Sequence, residues 1–254
     1  MILLWWCIIN ISKDYGGNMA YFIGGIIVFF SSMVQGATGF GFSLIALPLL
    51  GFIFDFKIVV PALVIYSIGL NIIVLTRIKF KPNWRDIALL SVFAISTIPL
   101  GVNMLLFVEQ ETLKVFVGAL IIIISLIMMK GFQINLKNRV LAYSIAGIFS
   151  GVLNGAVSLS GPPIVVLLAN ENQDKNQFRG SLTLVFFLLN IVTVAMYWYR
   201  GLFQSPALGK MMILLPIMII GTYMGIYLGN KVDEDKFKKA VLFLLLLMGI
   251  LNFI

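Results

Sequence analysis

The feature that most constrains this chain is the recurrence of long apolar runs. They fall at 19–36, 42–54, 58–76, 87–108, 113–129, 140–157, 161–170, 180–199, 211–229 and 239–254. A helix needs about 20 apolar residues to cross a hydrocarbon layer of about 30 Å. Within that layer the backbone must satisfy its own hydrogen bonds, which leaves helices or closed barrels. A barrel would alternate in polarity over segments of roughly ten residues, and no such alternation occurs. The expectation is therefore an all-α, polytopic helical membrane protein. Composition agrees: 11% of residues are charged, against about 25% in soluble domains. The net charge of +8 does not indicate nucleic-acid binding, because Lys and Arg sit in short loops between apolar runs, as the positive-inside bias dictates.

Two of the runs are broken by polar and glycine-rich stretches. The first break is Gln35-Gly-Ala-Thr-Gly-Phe-Gly-Phe-Ser43 and the second is Asn154-Gly-Ala-Val-Ser-Leu-Ser-Gly-Pro-Pro163. A helix break inside a bilayer is tolerated only where protein or a water-filled cavity completes the backbone hydrogen bonds. Breaks in corresponding positions of two halves point to a transporter binding site. The halves do correspond. An offset of 119 superimposes Phe30-Ser31 on Phe149-Ser150, Gly36-Ala37 on Gly155-Ala156, and Leu70-Asn71-Ile72 on Leu189-Asn190-Ile191. An offset of 124 then matches Gly101 to Gly225 and Lys114 to Lys238. The expected organisation is an N-terminal interfacial segment at 1–18 carrying Trp5 and Trp6, a first transmembrane repeat at 19–130, a cytoplasmic linker at 131–139 and a second repeat at 140–254. Each repeat holds a broken, re-entrant helix pair and three transmembrane helices.

Loop charge sets the orientation. If the loop from Arg77 to Arg85 is cytoplasmic and each broken pair enters and leaves on one side, only Lys13, Lys57, Lys114, Arg200 and Lys210 of the 18 basic residues lie outside. Three full crossings per half invert the second repeat, the arrangement that supports alternating access.

The chemistry at depth is neutral. Intramembrane charges mark proton relays and ion pathways, yet no Asp, Glu, Lys or Arg lies in the middle of an expected span. Histidine is absent, which removes the commonest metal ligand and general base. No enzyme, metal site or cofactor is expected. The polar groups left at depth suit a small anion. Half-helix ends offer unpaired N–H groups and partial positive charge. Gly36, Gly39, Gly41, Gly155 and Gly161 allow close approach to the backbone. Gln35, Thr38, Ser43, Asn71, Asn154, Ser158, Ser160 and Asn190 add hydroxyls and amides. Arg179 reads either as an anion-attracting group at the entrance or as a topology signal. The series Gly147, Gly151, Gly155 and Gly221, Gly225, Gly229 read first as smooth faces for helix packing. Asn71 and Asn190 read equally as interhelical hydrogen-bonding residues.

At the two breaks the sequence resembles the TauE/SafE sulfite exporter family, on Gly36-Ala-Thr-Gly-Phe-Gly-Phe-Ser-Leu-Ile-Ala-Leu-Pro-Leu-Leu50 and Gly155-Ala-Val-Ser-Leu-Ser-Gly-Pro-Pro-Ile-Val165. Many members carry a further glycine where this chain has Phe42 and Ser43. The resemblance implies export of sulfite, organosulfonates or related small anions across the bacterial inner membrane, with the bilayer and a small anionic substrate as partners and a homodimer allowed. An anion channel or an uptake permease for a small carboxylate are the alternatives left open.

Overall fold

A computed structural model describes residues 18–129, 138–169, 171, 173–229 and 231. All of the interfacial segment at 1–18 except Asn18, which opens the first helix, most of the 131–139 linker and the final run at 239–254 lie outside the described residues. Within them all regular structure is helical. The helices are α1 (Asn18–Thr38), α2 (Phe42–Gly51), α3 (Phe56–Arg77), α4 (Trp84–Phe107), α5 (Gln110–Met129), α6 (Arg139–Val157), α7 (Gly161–Ala169), α8 (Lys175–Tyr199), α9 (Pro206–Met211) and α10 (Leu215–Gly229). Among the described residues six spans are long and apolar enough to cross a membrane: α1, α3, α4, α6, α8 and the composite Pro206–Gly229.

Local chemistry explains the boundaries. Asp55 caps α3 by accepting from the Lys57 amide at 2.7 Å. Asp174 caps α8 by accepting from the amides of Asn176 and Gln177 at 2.9 Å. That cap starts α8 at Lys175, five residues before the apolar run at 180, and so brings Arg179 into the helix. A 3₁₀ turn at Met212–Leu214, followed by Pro216, separates α9 from α10, because proline cannot donate to the preceding turn.

Both broken pairs fold back on themselves. Tyr21 near the start of α1 meets Phe54, just past α2, with ring centroids 5.4 Å apart. In the second half, Tyr143 near the start of α6 donates to Glu171, just past α7. Each pair thus begins and ends at the same end of the bundle. One end gathers Asp86, Arg139 and Glu171, with Arg139 bridging the two carboxylates at 2.5 and 3.1 Å. Gln177 exchanges hydrogen bonds of 3.1 and 2.7 Å with the Lys81 backbone there, and Lys175 donates to the Gly229 carbonyl at 2.9 Å. At the opposite end Arg200 donates to Asn103 at 3.0 Å.

Association of apolar helices in lipid relies on close packing, which small residues permit. The glycine series supply it. Gly147 and Gly151 on α6 lie against the Leu90 and Ala94 carbonyls of α4, and Gly221 and Gly225 on α10 lie against the Phe29 and Met33 carbonyls of α1. A Cβ at Gly151 or Gly225 would overlap the facing carbonyl. The two interfaces match residue by residue under the sequence offsets. Gly36 faces the Thr222 carbonyl and the Ile226 amide, whereas Gly155 faces those of Ile98 and Val102. Gly225 faces the Met33 carbonyl, and Gly101 that of Val152. At the centre α3 packs along α8, bringing Asn71 and Asn190, both buried, into the middle of the molecule.

Candidate functional site

The two breaks meet. Gly39 (φ +85°) and Gly41 (φ +103°) turn the chain from α1 into α2, in a left-handed conformation that glycine adopts without steric cost. The equivalent of Gly39 in the second half is Ser158, the one non-glycine with positive φ (58°) among the described residues, and it caps the C-terminus of α6. Ser158 and Ser43 then bring their hydroxyl oxygens to 3.2 Å, joining the hairpins directly.

Around this contact lies a small cavity of about 30 Å³, room for roughly two water molecules. It is lined by Gln35, Phe40, Gly41, Ser43, Leu44, Ser67, Asn71, Asn154, Ser158, Leu159, Ser160, Gly161, Phe186 and Asn190. Ten of these are five pairs related by the 119-residue offset: Gln35 with Asn154, Phe40 with Leu159, Gly41 with Ser160, Ser67 with Phe186, and Asn71 with Asn190. No charged side chain contributes to the lining.

Gln35 organises the first half. Its Oε1 accepts from the Phe42 amide at 3.2 Å, and its Nε2 donates to Asn71 Oδ1 at 3.0 Å. One side chain therefore caps the N-terminus of α2 and ties it to α3. In the second half, Asn154 donates to Thr193 Oγ1 at 2.8 Å, and Thr193 donates to the Leu189 carbonyl at 2.9 Å. Asn71 Nδ2, Asn154 Oδ1 and Asn190 Oδ1 are buried without hydrogen-bond partners. A polar atom left in that state costs about 1–3 kcal/mol, so three around one cavity call for a polar ligand or water.

The half-helix ends differ in donor supply. Both α2 and α7 start at the cavity, but α7 opens Gly161-Pro162-Pro163, and proline has no N–H. In the first turn of α2 the Phe42 N–H is taken by Gln35, and Ser43 and Leu44 follow at the cavity wall.

Nine sequence-expected residues line the cavity: Gln35, Gly41, Ser43, Asn71, Asn154, Ser158, Ser160, Gly161 and Asn190. The others stand behind it. Gly36 and Gly155 form helix–helix contacts. Thr38 Oγ1 lies 2.9 Å from the Val34 carbonyl and 2.6 Å from that of Phe40, holding the turn. Gly39 packs on the Arg179 side chain. Arg179 is only 2% exposed and donates to the Gly36 carbonyl at 2.6 Å, bringing positive charge to the C-terminal end of α1, where carbonyl oxygens concentrate negative charge. Tyr197 does the same neutrally for the equivalent carbonyl of Gly155, at 2.8 Å.

Sequence reasoning missed Phe40, Leu44, Ser67, Leu159 and Phe186 as lining, and Thr193 and Tyr197 as supports. Ser67 and Phe186 sit four residues before Asn71 and Asn190, on the same helix face; that spacing was a usable signal. Among the described residues no cluster of three His, Cys, Asp or Glu side chains forms a metal site.

Comparison with known proteins gives one family: the model for "Sulfite exporter TauE/SafE" matches residues 24–251. A curated relative from Cupriavidus necator, named probable sulfite/organosulfonate exporter TauE, is 24% identical over 153 residues. The alignment covers 56% of this chain and 57% of the relative, so the chain spans little more than half of that protein's length. No solved structure gives a significant match.

Proposed function

The chain belongs to the sulfite exporter TauE/SafE family, and on that premise we propose that it is a secondary transporter exporting small sulfur-containing or organic anions, such as sulfite or organosulfonates, by alternating access at the paired helix breaks. It is a multi-pass membrane protein, and the family is one of transporters and not of enzymes. The observation that carries the proposal is the small, uncharged cavity between the breaks, with its half-helix ends and unsatisfied buried amides. Hydroxyls, amides and backbone N–H groups suit an oxyanion that must be bound and released.

The matched glycine interfaces and the two fold-back hairpins support reading 19–130 and 140–254 as repeats of opposite orientation, joined by 131–139. The end bearing Arg77, Lys79, Lys81, Arg85 and Arg139 is cytoplasmic on the positive-inside bias. Near-complete burial of the lining residues favours a carrier over an open pore. One chain supplies the whole cavity, so the site does not require a homodimer. A potential negative inside favours anion exit by about 2.3 kcal/mol per charge per 100 mV, which drives export without a proton-relay carboxylate.

The test is flux of radiolabelled sulfite into inside-out vesicles under an imposed potential. Saturable, potential-dependent flux that falls in the Asn71→Ala, Asn190→Ala double variant is expected. Flux no greater than in vesicles lacking the protein would refute the function, and undiminished flux in the double variant would refute the site.

A further inference from the structure

The cavity presents opposite hydrogen-bonding polarity from its two halves, and the direction of each bond follows from groups that can act in only one way. In the first half the Phe42 backbone N–H can only donate, so the Gln35 atom 3.2 Å from it is the carbonyl Oε1. The Gln35 NH₂ group then faces Asn71, 3.0 Å away, and Asn71 must meet it with Oδ1. What Asn71 has left is Nδ2, a buried donor without a partner. In the second half the Leu189 carbonyl can only accept, so the Thr193 hydroxyl proton is committed to it at 2.9 Å. The Thr193 oxygen therefore accepts from Asn154, whose Nδ2 lies 2.8 Å away. What Asn154 has left is Oδ1, a buried acceptor without a partner. Asn71 is 0% exposed and Asn154 1% exposed, and both line the cavity.

We infer that the cavity selects a singly charged oxyanion that also carries a hydrogen-bond donor: hydrogen sulfite itself, or a sulfonate bearing a hydroxyl or amine. The inference rests on the cavity being the transport site. A fully deprotonated oxyanion has only acceptors. It satisfies Asn71 but sets lone pair against lone pair at Asn154. An O–H or N–H on the same ligand serves Asn154 while the anionic oxygens serve Asn71. Thr193 is absent from the cavity lining and acts as a positioning residue, because its committed proton is what turns the Asn154 acceptor outward.

The experiment uses the full chain in proteoliposomes, loaded for counterflow of radiolabelled sulfite, with hydroxyethanesulfonate and ethanesulfonate as competitors. The two differ by one hydroxyl. Hydroxyethanesulfonate is expected to compete about tenfold better or more, the effect of leaving one buried acceptor unpaired. Thr193→Val frees the Asn154 amide to rotate and brings the ratio toward one; Thr193→Ser, which keeps the hydroxyl, restores it. Sulfite flux that rises as pH falls through its second ionisation, while hydroxyethanesulfonate flux stays level, identifies hydrogen sulfite as a carried species; sulfite flux that falls over the same range shows that the donor-free dianion is carried and overturns the inference. Equal competition by the two sulfonates in the unaltered protein, or a ratio that Thr193→Val leaves unchanged, overturns the inference while transport stands. Absence of any sulfite counterflow overturns the transport reading beneath it.

Discussion

Replacing Asn71 by Asp tests the site with little change of shape. Asn71 turns Oδ1 toward Gln35 Nε2 at 3.0 Å and leaves Nδ2 unpartnered in the cavity wall. Asp retains an oxygen for Gln35, so the link from α3 to the capped end of α2 survives. The cavity-facing atom changes from N–H to a carboxylate oxygen. A bound anion then loses one charged-group hydrogen bond, worth about 1.5–3 kcal/mol. It also meets a negative charge, which at about 4 Å and an effective dielectric constant of 20 costs about 4 kcal/mol. Together these come to about 6 kcal/mol, or roughly four powers of ten in affinity. Lowering the pH until the new carboxylate is protonated should recover part of the lost transport, judged against the unaltered protein at each pH. Counterflow of labelled sulfite, measured as KM across a pH series, reads both effects. A KM for Asn71→Asp equal to that of the unaltered protein would show that no anion approaches Asn71, and the reasoning would fail.

Two further predictions concern the scaffold. Gly151→Leu forces a side chain into the Ala94 carbonyl and should destabilise the α4–α6 pair by about 1–3 kcal/mol or more, read as a lower melting temperature in detergent; Gly209→Ala, with nothing within 4 Å of its added methyl, should leave that temperature unchanged. Arg179→Leu removes the donor to the Gly36 carbonyl and should cost about 1–3 kcal/mol of stability, with Arg179→Lys retaining part of it in the same melting assay.

The fold was largely readable because span length and backbone breaks are local properties. Apolar runs gave the helices, and Gly39, Gly41, Pro162 and Pro163 gave the interruptions. Departures occurred where a side chain outside the run decided the boundary, as when Asp174 starts α8 five residues early. The matched asparagines were found from the repeat, and the structure brings both to one cavity. Less visible was what each polar group does once its neighbours are fixed. Gln35 spends both ends of its amide on Phe42 and Asn71, a choice set by the α1–α2 turn and the packing of α3. Arg179 and Tyr197 reach equivalent carbonyls from near opposite ends of α8, although their own residue types show no such equivalence. Half-helix ends in general offer unpaired N–H groups, but the two ends here do not contribute them equally. The prolines that deprive α7 of donors were in plain sight, but their effect matters only once Gly161 is seen at the cavity wall.

The most direct test of the central claim is anomalous diffraction from crystals of the protein soaked with selenite, the heavier analogue of sulfite. An anomalous peak is expected between the hairpins, within hydrogen-bonding reach of Asn71 and beside the Ser43–Ser158 contact, lost in Asn71→Asp. A selenite peak bound elsewhere in the chain, with none between the breaks, would contradict that claim.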